Sequence, residues 1–477
     1  MSRKQYRIDE FIGINQSCTE NVLSSAFTCD ACNMDTTRGS LNVAKGYVKH
    51  IENPVPDKYS IYRMTTFTGS DGIMQYIVAT NTAIYSSRGT TWTKIYDYGS
   101  QLAMCRFDFL QAKIGSVDYL LISCGERQMV KYDGETASLF GSQEMLSNRS
   151  VLYLDIYRSR LFAAGDPVYP NRLYWSQLPG DTRSIENWSS DVSSVNVEGG
   201  HTEIGSTSND PIVAIHAMSN QLLIFKQHSL YRLIGDKPSN FTVERIDALF
   251  DAPAYTAIVP YGDSLVFLTS RGLCLFNGVT VRPLADADYI QDILKNSFTF
   301  ESKGTYCDGK FYFTLSEGVY YQTNALLEYD PLRHAYMIRR GFTLKDIHAV
   351  NNTLFSVSGA RYIYRFNEGD TYDGTPIEAW WKTPASDLLE KTSIKALRTI
   401  ALRGSAENNS RVLADIQVDK HTDTHAICLP QSENDIVELP LKNEGRIFSI
   451  KFYNENGGSF CINGGVELLF EQWRRTE

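Results

Sequence analysis

Residues 76–98 read YIVATNTAIYSSRGTTWTKIYDY. The stretch opens on an apolar strand and turns on polar residues. It continues into a second strand carrying Tyr85, turns again at Arg88-Gly89, and ends in a more polar third strand. A single unit of this kind cannot cover both of its faces and needs others beside it. Six more follow: 119–140 (YLLISCGERQMVKYDGETASLF), 160–188, 221–246, 264–284, 310–340 and 353–381. Their aromatic anchors are Tyr85, Tyr132, Tyr174, Tyr231, Phe276, Tyr329 and Tyr364. The mean spacing of about 46 residues is close to one four-stranded propeller blade. Stacking such blades radially buries the faces and leaves only short sheet edges. The apolar strand that starts each unit reads as the inner, fully buried strand. The expected fold is therefore all-β, a β-propeller of about seven blades over residues 56–376. A pair of β-sandwiches is the competing architecture.

Past residue 376 the pattern changes. LRTIALRGS, SRVLADIQVDK, AICLP, RIFSIKFYN and VELLFEQWRR are separated by polar or Gly-rich turns, which predicts a C-terminal β-sandwich over 377–477. Alternation puts Val412, Ala414, Ile416 and Val418 on one strand face. GGSFCINGG reads as a tight strand connection, since no helix start follows that could cradle a phosphate. Residues 1–55 show little periodicity, and SSAFTCDACNMD reads as one short helical turn within an extended N-terminal arm. A segment of that length without its own core docks on its own body or on a neighbour.

Composition narrows the function. The 477 residues carry a formal net charge of −9, which opposes a broad nucleic-acid surface. The 28 Tyr and 23 Phe favour strands. No apolar run is long enough to span a membrane, and no apolar segment follows the basic start, so neither a span nor a secretory signal is expected. Nine scattered cysteines read as reduced thiols. Cys29-x-x-Cys32, with Cys18 nearby, lacks a fourth ligand, so no metal and no cofactor is expected.

Candidate chemistry fails in the same way. Residues 85–92 match the sialidase Asp-box, S-x-D-x-G-x-T-W, at Gly89, Thr91 and Trp92, but Tyr85 and Ser87 replace its Ser and Asp. That box is a blade-turn feature, so glycosidase activity would rest on fold analogy alone. His421 and His425 read as a solvated pair in a polar loop. The repeated IHA at His216 and His348, each just ahead of an apolar strand, reads as a structural hydrogen bond of the repeat. No nucleophile elbow occurs. The chain is expected to be non-enzymatic, with no catalytic residues.

Both ends carry a resemblance. FIGIN at 11–15 and CNMDTTRGSLNVAKGY at 32–47 resemble the opening of a group of tailed-bacteriophage structural proteins. Those open on F-x-G-(I/V/L)-(N/D), then N-(M/L)-x4-G-x-L-x2-(R/K)-x-G-(Y/W). Phe11, Gly13, Ile14, Asn33, Met34, Gly39, Leu41, Gly46 and Tyr47 fit, with Lys45 one place past the basic position. Near the C-terminus, Gly445, Arg446, Phe448, Ser449 and Phe452 resemble the group's closing module. The resemblance implies a propeller body and a virion protein of the tail or head-to-tail connector, nozzle-like, made in the host cytoplasm. It implies a homo-oligomeric ring, other tail or connector proteins as partners, and viral DNA passing without specific binding. Some nozzle proteins are much longer, so the extra distal domains of a full nozzle are not implied here. Phe11, Gly13, Ile14, Asn33, Met34, Gly39, Tyr47 and Arg446 are then the expected interface residues, unless Phe11 and Ile14 pack on their own propeller. The competing readings are a receptor- or glycan-binding tail-tip protein, favoured by an exposed cluster of Tyr169, Tyr174 and Trp175, and a propeller glycosidase.

Overall fold

Seven successive antiparallel blades form the body: five are separate four-stranded sheets, and the sixth and seventh lie within a seven-stranded and a six-stranded sheet that N-terminal strands join. The computed structural model describes residues 2–141, 149–190, 194–205, 209–247, 251–319, 322–389, 391–407, 411–431 and 435–473. Blades 1 to 7 begin with Ile61–Thr68, Asp108–Ile114, Tyr153–Tyr157, Ile212–Ala217, Ile258–Tyr261, Gly304–Cys307 and Asp346–Val350. The first strands of blades 2, 3 and 4 lie against one another in turn, as do those of blades 5, 6, 7 and 1; Ile212–Ala217 of blade 4 meets blade 5 at Tyr255–Ala257, and the contact of blade 7 with blade 1 joins the last blade to the first. The protein is an all-β propeller.

All seven anchor aromatics fall on the third strand of a blade. The apolar strand expected at the axis is in fact the second. Leu222–Lys226 and Arg160–Ala164 are buried throughout because each blade is sandwiched between two others, with strands on either side. The first strands are mixed, as Asp108–Ile114 shows, because one edge faces the axial channel.

Blade 7 has only three consecutive strands of its own. Its fourth is Tyr47–Lys49, from the N-terminal side of blade 1, paired with Ile363–Phe366. The last blade is thus completed by a strand made before the first blade. This closure is non-covalent and needs only three residues of ladder, backed by the Tyr47 ring. Tyr47 packs at 4.6 Å from Tyr364 and stacks at 5.1 Å on Tyr372.

The C-terminal region is a two-sheet sandwich. One sheet runs Ile436–Gly445, Ile394–Ala406, Phe460–Trp473, Leu41–Val43, Met34–Asp35. The other runs Asp30–Cys32, Trp380–Lys382, Phe448–Asn454, Arg411–Val418, His421–Cys428. Val412, Ala414, Ile416 and Val418 are all buried between them, on one strand face. GGSFCINGG joins two features: Gly457–Ser459 belong to the turn out of Phe448–Asn454, and Gly464 and Gly465, both at positive φ, form a bulge inside the 14-residue strand Phe460–Trp473, between Val466, opposite Leu402, and Asn463, opposite Arg403. A Cβ on Gly465 would meet the Ile8 carbonyl at 1.9 Å. His421 and His425 sit on an exposed strand, not in a loop. Four residues apart along a strand is about 13 Å, too far to share a metal.

The N-terminal segment is not a separate arm. Ser2–Ile8 pairs along Phe460–Trp473 of the sandwich. Gly13–Ile14 extends blade 6 beside Ala335–Leu344. The expected helical turn is replaced by the short strands Phe27–Thr28, Asp30–Cys32 and Met34–Asp35. The first 49 residues therefore stitch blade 6, blade 7 and both sandwich sheets together, and one continuous core runs through all of them.

Candidate functional site

All the residues expected at an interface except Arg446 lie in this seam. Phe11 is fully buried, edge-on to Trp381 at 5.3 Å, and its N–H donates to the Gly39 carbonyl at 3.0 Å. Ile14 and Met34 are buried in the same core. Gly13 passes so close to blade 6 that a Cβ would stand 2.7 Å from the Tyr336 carbonyl oxygen. Gly46 is tighter still, 1.9 Å from the Thr371 carbonyl oxygen. Gly39 turns the chain at φ 79°.

Asn33 is the hub. It takes the left-handed conformation (φ 54°), which Asn tolerates better than most residues. Its amide donates to the Arg340 and Glu378 carbonyls at 3.0 and 2.7 Å. Its Oδ1 accepts from the Arg340 N–H at 2.9 Å and the Tyr372 hydroxyl at 3.0 Å. One side chain thus ties blade 6, the blade 7 hairpin and the strand leading into the sandwich. Beneath it lies a buried ion pair between Arg339 and Glu328. Arg339 also donates to the Lys45 carbonyl at 2.7 Å, and Lys310 bridges Glu328 to Asp35.

Phe11, Gly13, Ile14, Asn33, Met34 and Tyr47 are buried within their own chain, which for Phe11 and Ile14 is the alternative the sequence left open. Their apolar surface and hydrogen-bonding groups are used up within their own chain. Of the set, only Arg446 presents an exposed side chain, at a turn whose N–H donates to Asp419, while Gly39 is half-buried. The closing-module residues Phe448, Ser449 and Phe452 are likewise buried.

A second polar assembly lines the axial channel and was missed in the sequence. Asp108 of blade 2 accepts the Leu154 N–H of blade 3 at 2.9 Å. Asp155 of blade 3 accepts the Ala217 N–H of blade 4 at 2.6 Å. Asp346 of blade 7 accepts the Met64 N–H of blade 1 at 2.8 Å and pairs with Arg63 at 2.9 Å. Each clasps the next blade, and each also caps the N–H of the residue after it. The recurring signal is an Asp followed by Phe or Ile at 108, 155 and 346. Tyr255 crosses the channel to Phe107, donating to its carbonyl at 2.8 Å.

Burial governs the electrostatics here. It pushes Asp108 up to about 6, against the Leu154 N–H and Arg63, which favour the charged form. It raises Asp155 and lowers His216, whose Nδ1 lies 3.7 Å from that carboxylate. His348 is likewise held down by burial, its Nε2 3.4 Å from the Thr66 hydroxyl. Both IHA histidines thus lie on first strands and face an adjacent blade.

The remaining sequence candidates are placed as follows. The Asp-box-like turn joins the third and fourth strands of blade 1, with the Trp92 indole donating to the Asn53 carbonyl at 2.9 Å. Burial pushes the Cys29 and Cys32 thiols up to about 11, which keeps them protonated. No metal-ligating group of three or more side chains gathers among the described residues. None of their helices is long and apolar enough to cross a membrane. Tyr174 is fully buried, hydrogen-bonded to Asp166 at 2.6 Å, and Tyr169 lies under Arg172 at 3.7 Å.

No protein-family model and no curated protein sequence matches the chain. Solved structures do share its architecture at low identity. BamB from Moraxella catarrhalis is 9% identical, with 76% of this chain and 97% of that one covered and a TM-score of 0.41. The Neurospora crassa Pan2 WD40 domain is 10% identical over 68% of this chain and 94% of that one, TM-score 0.41. The extracellular domain of a hybrid two-component system from B. thetaiotaomicron is 12% identical over 67% of this chain, TM-score 0.43, and the match spans 39% of its length.

Proposed function

We propose that the chain is a non-catalytic structural component of a tailed-phage virion, one subunit of a homo-oligomeric ring in the tail or head-to-tail connector. The observation that carries this reading is the meeting of the two resemblance motifs. Far apart in sequence, they meet at Trp381: Phe11 of the opening motif packs edge-on to its ring at 5.3 Å, and Phe452 of the closing motif pairs opposite it in the sheet. A pattern shared by virion proteins at both ends makes physical sense if it specifies this seam, which welds propeller to sandwich in a part that must bear load.

Two further points support it. The axial carboxylates are engaged in clasping blades, which leaves them poorly placed for acid–base work. Tyr174 is sequestered, so the aromatic platform required for the glycan-binding reading is incomplete. In the ring, a surface of net negative charge repels phosphates, so viral DNA passes without specific binding. Ring contacts then come from exposed surface, the Arg446 turn included.

Native mass spectrometry and negative-stain imaging of the full chain test the proposal. Closed rings at micromolar concentration are expected. A chain that stays monomeric while binding bacterial-surface glycans would overturn it in favour of receptor recognition.

A further inference from the structure

The first sandwich sheet has an open ladder at each edge. Among the described residues, Ser2–Ile8 pairs only with Phe460–Trp473, and Ile436–Gly445 only with Ile394–Ala406. The sheet is four strands wide between these edges, and every pairing is antiparallel, so the two edge strands run in opposite directions. Three adjacent rows of opposed residues cross all four strands without a bulge. They end in Ile8 and Val437, in Arg7 and Glu438, and in Tyr6 and Leu439. The two ends of these rows are complementary. On the outer face, Arg7 is exposed beside Glu467 at 3.2 Å, while Glu438 is exposed with no ion-pair partner among the described residues. On the inner face, Tyr6, Val437 and Leu439 are only partly covered by the core they pack against.

Hydrogen-bonded and non-hydrogen-bonded pairs alternate along a row of an antiparallel sheet. Four strands make three such steps, so a fourth step, from the Ser2–Ile8 edge of one copy to the Ile436–Gly445 edge of another, stays in phase. We propose that the subunits of the ring join head to tail through these two edges, which makes one antiparallel sheet continuous between neighbours. The contact rests on the ring reading and gives it a surface. In this register Arg7 lies between its own Glu467 and the partner's Glu438, and Tyr6 and Ile8 cover the partner's Leu439 and the partner's Val437. The flanking residues stop longer or slipped pairing: Lys4 brings a charge to the face that Tyr6 and Ile8 share, and Pro440 has no N–H to donate. Two different edges meet, so the contact is heterologous and closes into a ring if the rotation allows.

Arg7→Cys and Glu438→Cys in one full-length chain test the register. Directly opposed residues have Cα atoms about 4.5–5.5 Å apart, as a disulfide requires. Within one chain the two positions are three strand spacings, about 14 Å, apart, so no internal bridge can form. Mild oxidation is expected to give a ladder of covalent oligomers up to the size of the ring. The single variants give no such ladder and control for the exposed native thiols Cys18 and Cys428. In native mass spectrometry, Arg7→Glu is expected to raise the concentration at which rings form by about tenfold or more, and adding Glu438→Arg restores it. That rescue cannot arise inside one chain, where the two side chains do not meet. Disulfide dimers from Arg7→Cys alone would mean that like edges pair, and would overturn the head-to-tail contact. Wild-type rings whose double-cysteine variant gives no ladder, or that are indifferent to Arg7→Glu, would overturn this surface and leave the ring reading standing. Open filaments bridged through the same cysteine pair would keep the contact and overturn the closed ring. A wild-type chain that stays monomeric overturns both.

Discussion

Phe11→Ala separates the two meanings of the N-terminal motif. If Phe11 were an anchor for a neighbouring subunit, its loss would weaken assembly and leave the isolated chain nearly unchanged. The structure places the ring at zero exposure, 5.3 Å from Trp381 and edge-on to it. Truncating a fully packed Phe costs about 3–5 kcal/mol, including the cavity left behind. The edge-to-face pair accounts for about 0.5–1.5 kcal/mol of aromatic interaction of this kind. Since a folded domain is stable by only about 5–15 kcal/mol, the loss is a large fraction of the whole. The assay is urea unfolding of the monomeric chain followed by tryptophan fluorescence, in which Trp381 reports the altered site directly. A loss below about 1 kcal/mol, the range of an ordinary surface substitution, would refute the packing argument. The same reasoning rules out deletion of residues 1–49 as a clean test of assembly. That deletion removes Phe11, Ile14, Met34, Leu41 and Tyr47, all buried, each worth about 1.5–3 kcal/mol. It also removes the outer strand of blade 7, and an insoluble product is expected.

Three other perturbations probe the polar framework. Asn33→Ala leaves two carbonyls, an N–H and the Tyr372 hydroxyl without their partner, and is expected to cost at least about 3 kcal/mol in chemical denaturation. Asn33→Asp should do no better, because carboxylate oxygens would face the Arg340 and Glu378 carbonyls. Asp346→Ala strands the Arg63 guanidinium and the Met64 N–H at the junction of the last and first blades; about 3–5 kcal/mol of lost stability is expected, read as a lower urea midpoint. Asp108 is held protonated to about 6 in the fold, against 3.8 when free. A raised carboxyl value stabilises the fold fully below about 3.8, and that contribution is lost as pH rises through about 6. Asp108→Asn should therefore flatten the pH dependence of stability between pH 4 and 6, and an unaltered slope would show that burial does not govern this group.

The propeller was legible because its signal is local. An apolar strand, a tight turn and an aromatic strand are contiguous, so seven copies can be aligned by eye. The phase was misread for a physical reason. A strand covered on both faces looks innermost in sequence, but the strands at the axis are mixed and carry Asp108, Asp155 and Asp346. The seam was illegible because all its N-terminal strands but Ser2–Ile8 are two or three residues long, below any measurable period. Their partners are also remote: the Asn33 side chain bonds to the Glu378 carbonyl, 345 positions away. His421–Cys428 reads as a loop for the opposite reason, being an edge strand exposed along almost its whole length.

The opening motif thus acts as a clamp that can engage only when the rest of the chain exists. Tyr47–Lys49 waits for blade 7, Asp30–Cys32 for Trp380–Lys382, and Ser2–Ile8 for the final strand. Such non-local closure is slow, because loop entropy is spent before contacts repay it. In return, the two free ends of a ring of blades, the usual place for a propeller to open, are held by strands from both termini. Sliding one blade past another at the blade 7–blade 1 junction would require Asp346 to release Arg63 and Met64. It would also require Tyr47 to leave its nest and the Asn33 hub to lose all four side-chain bonds. These belong to one connected core, so none can yield alone. The molecule resists shear as a unit, the mechanical property that the proposed place in a ring conducting viral DNA would demand.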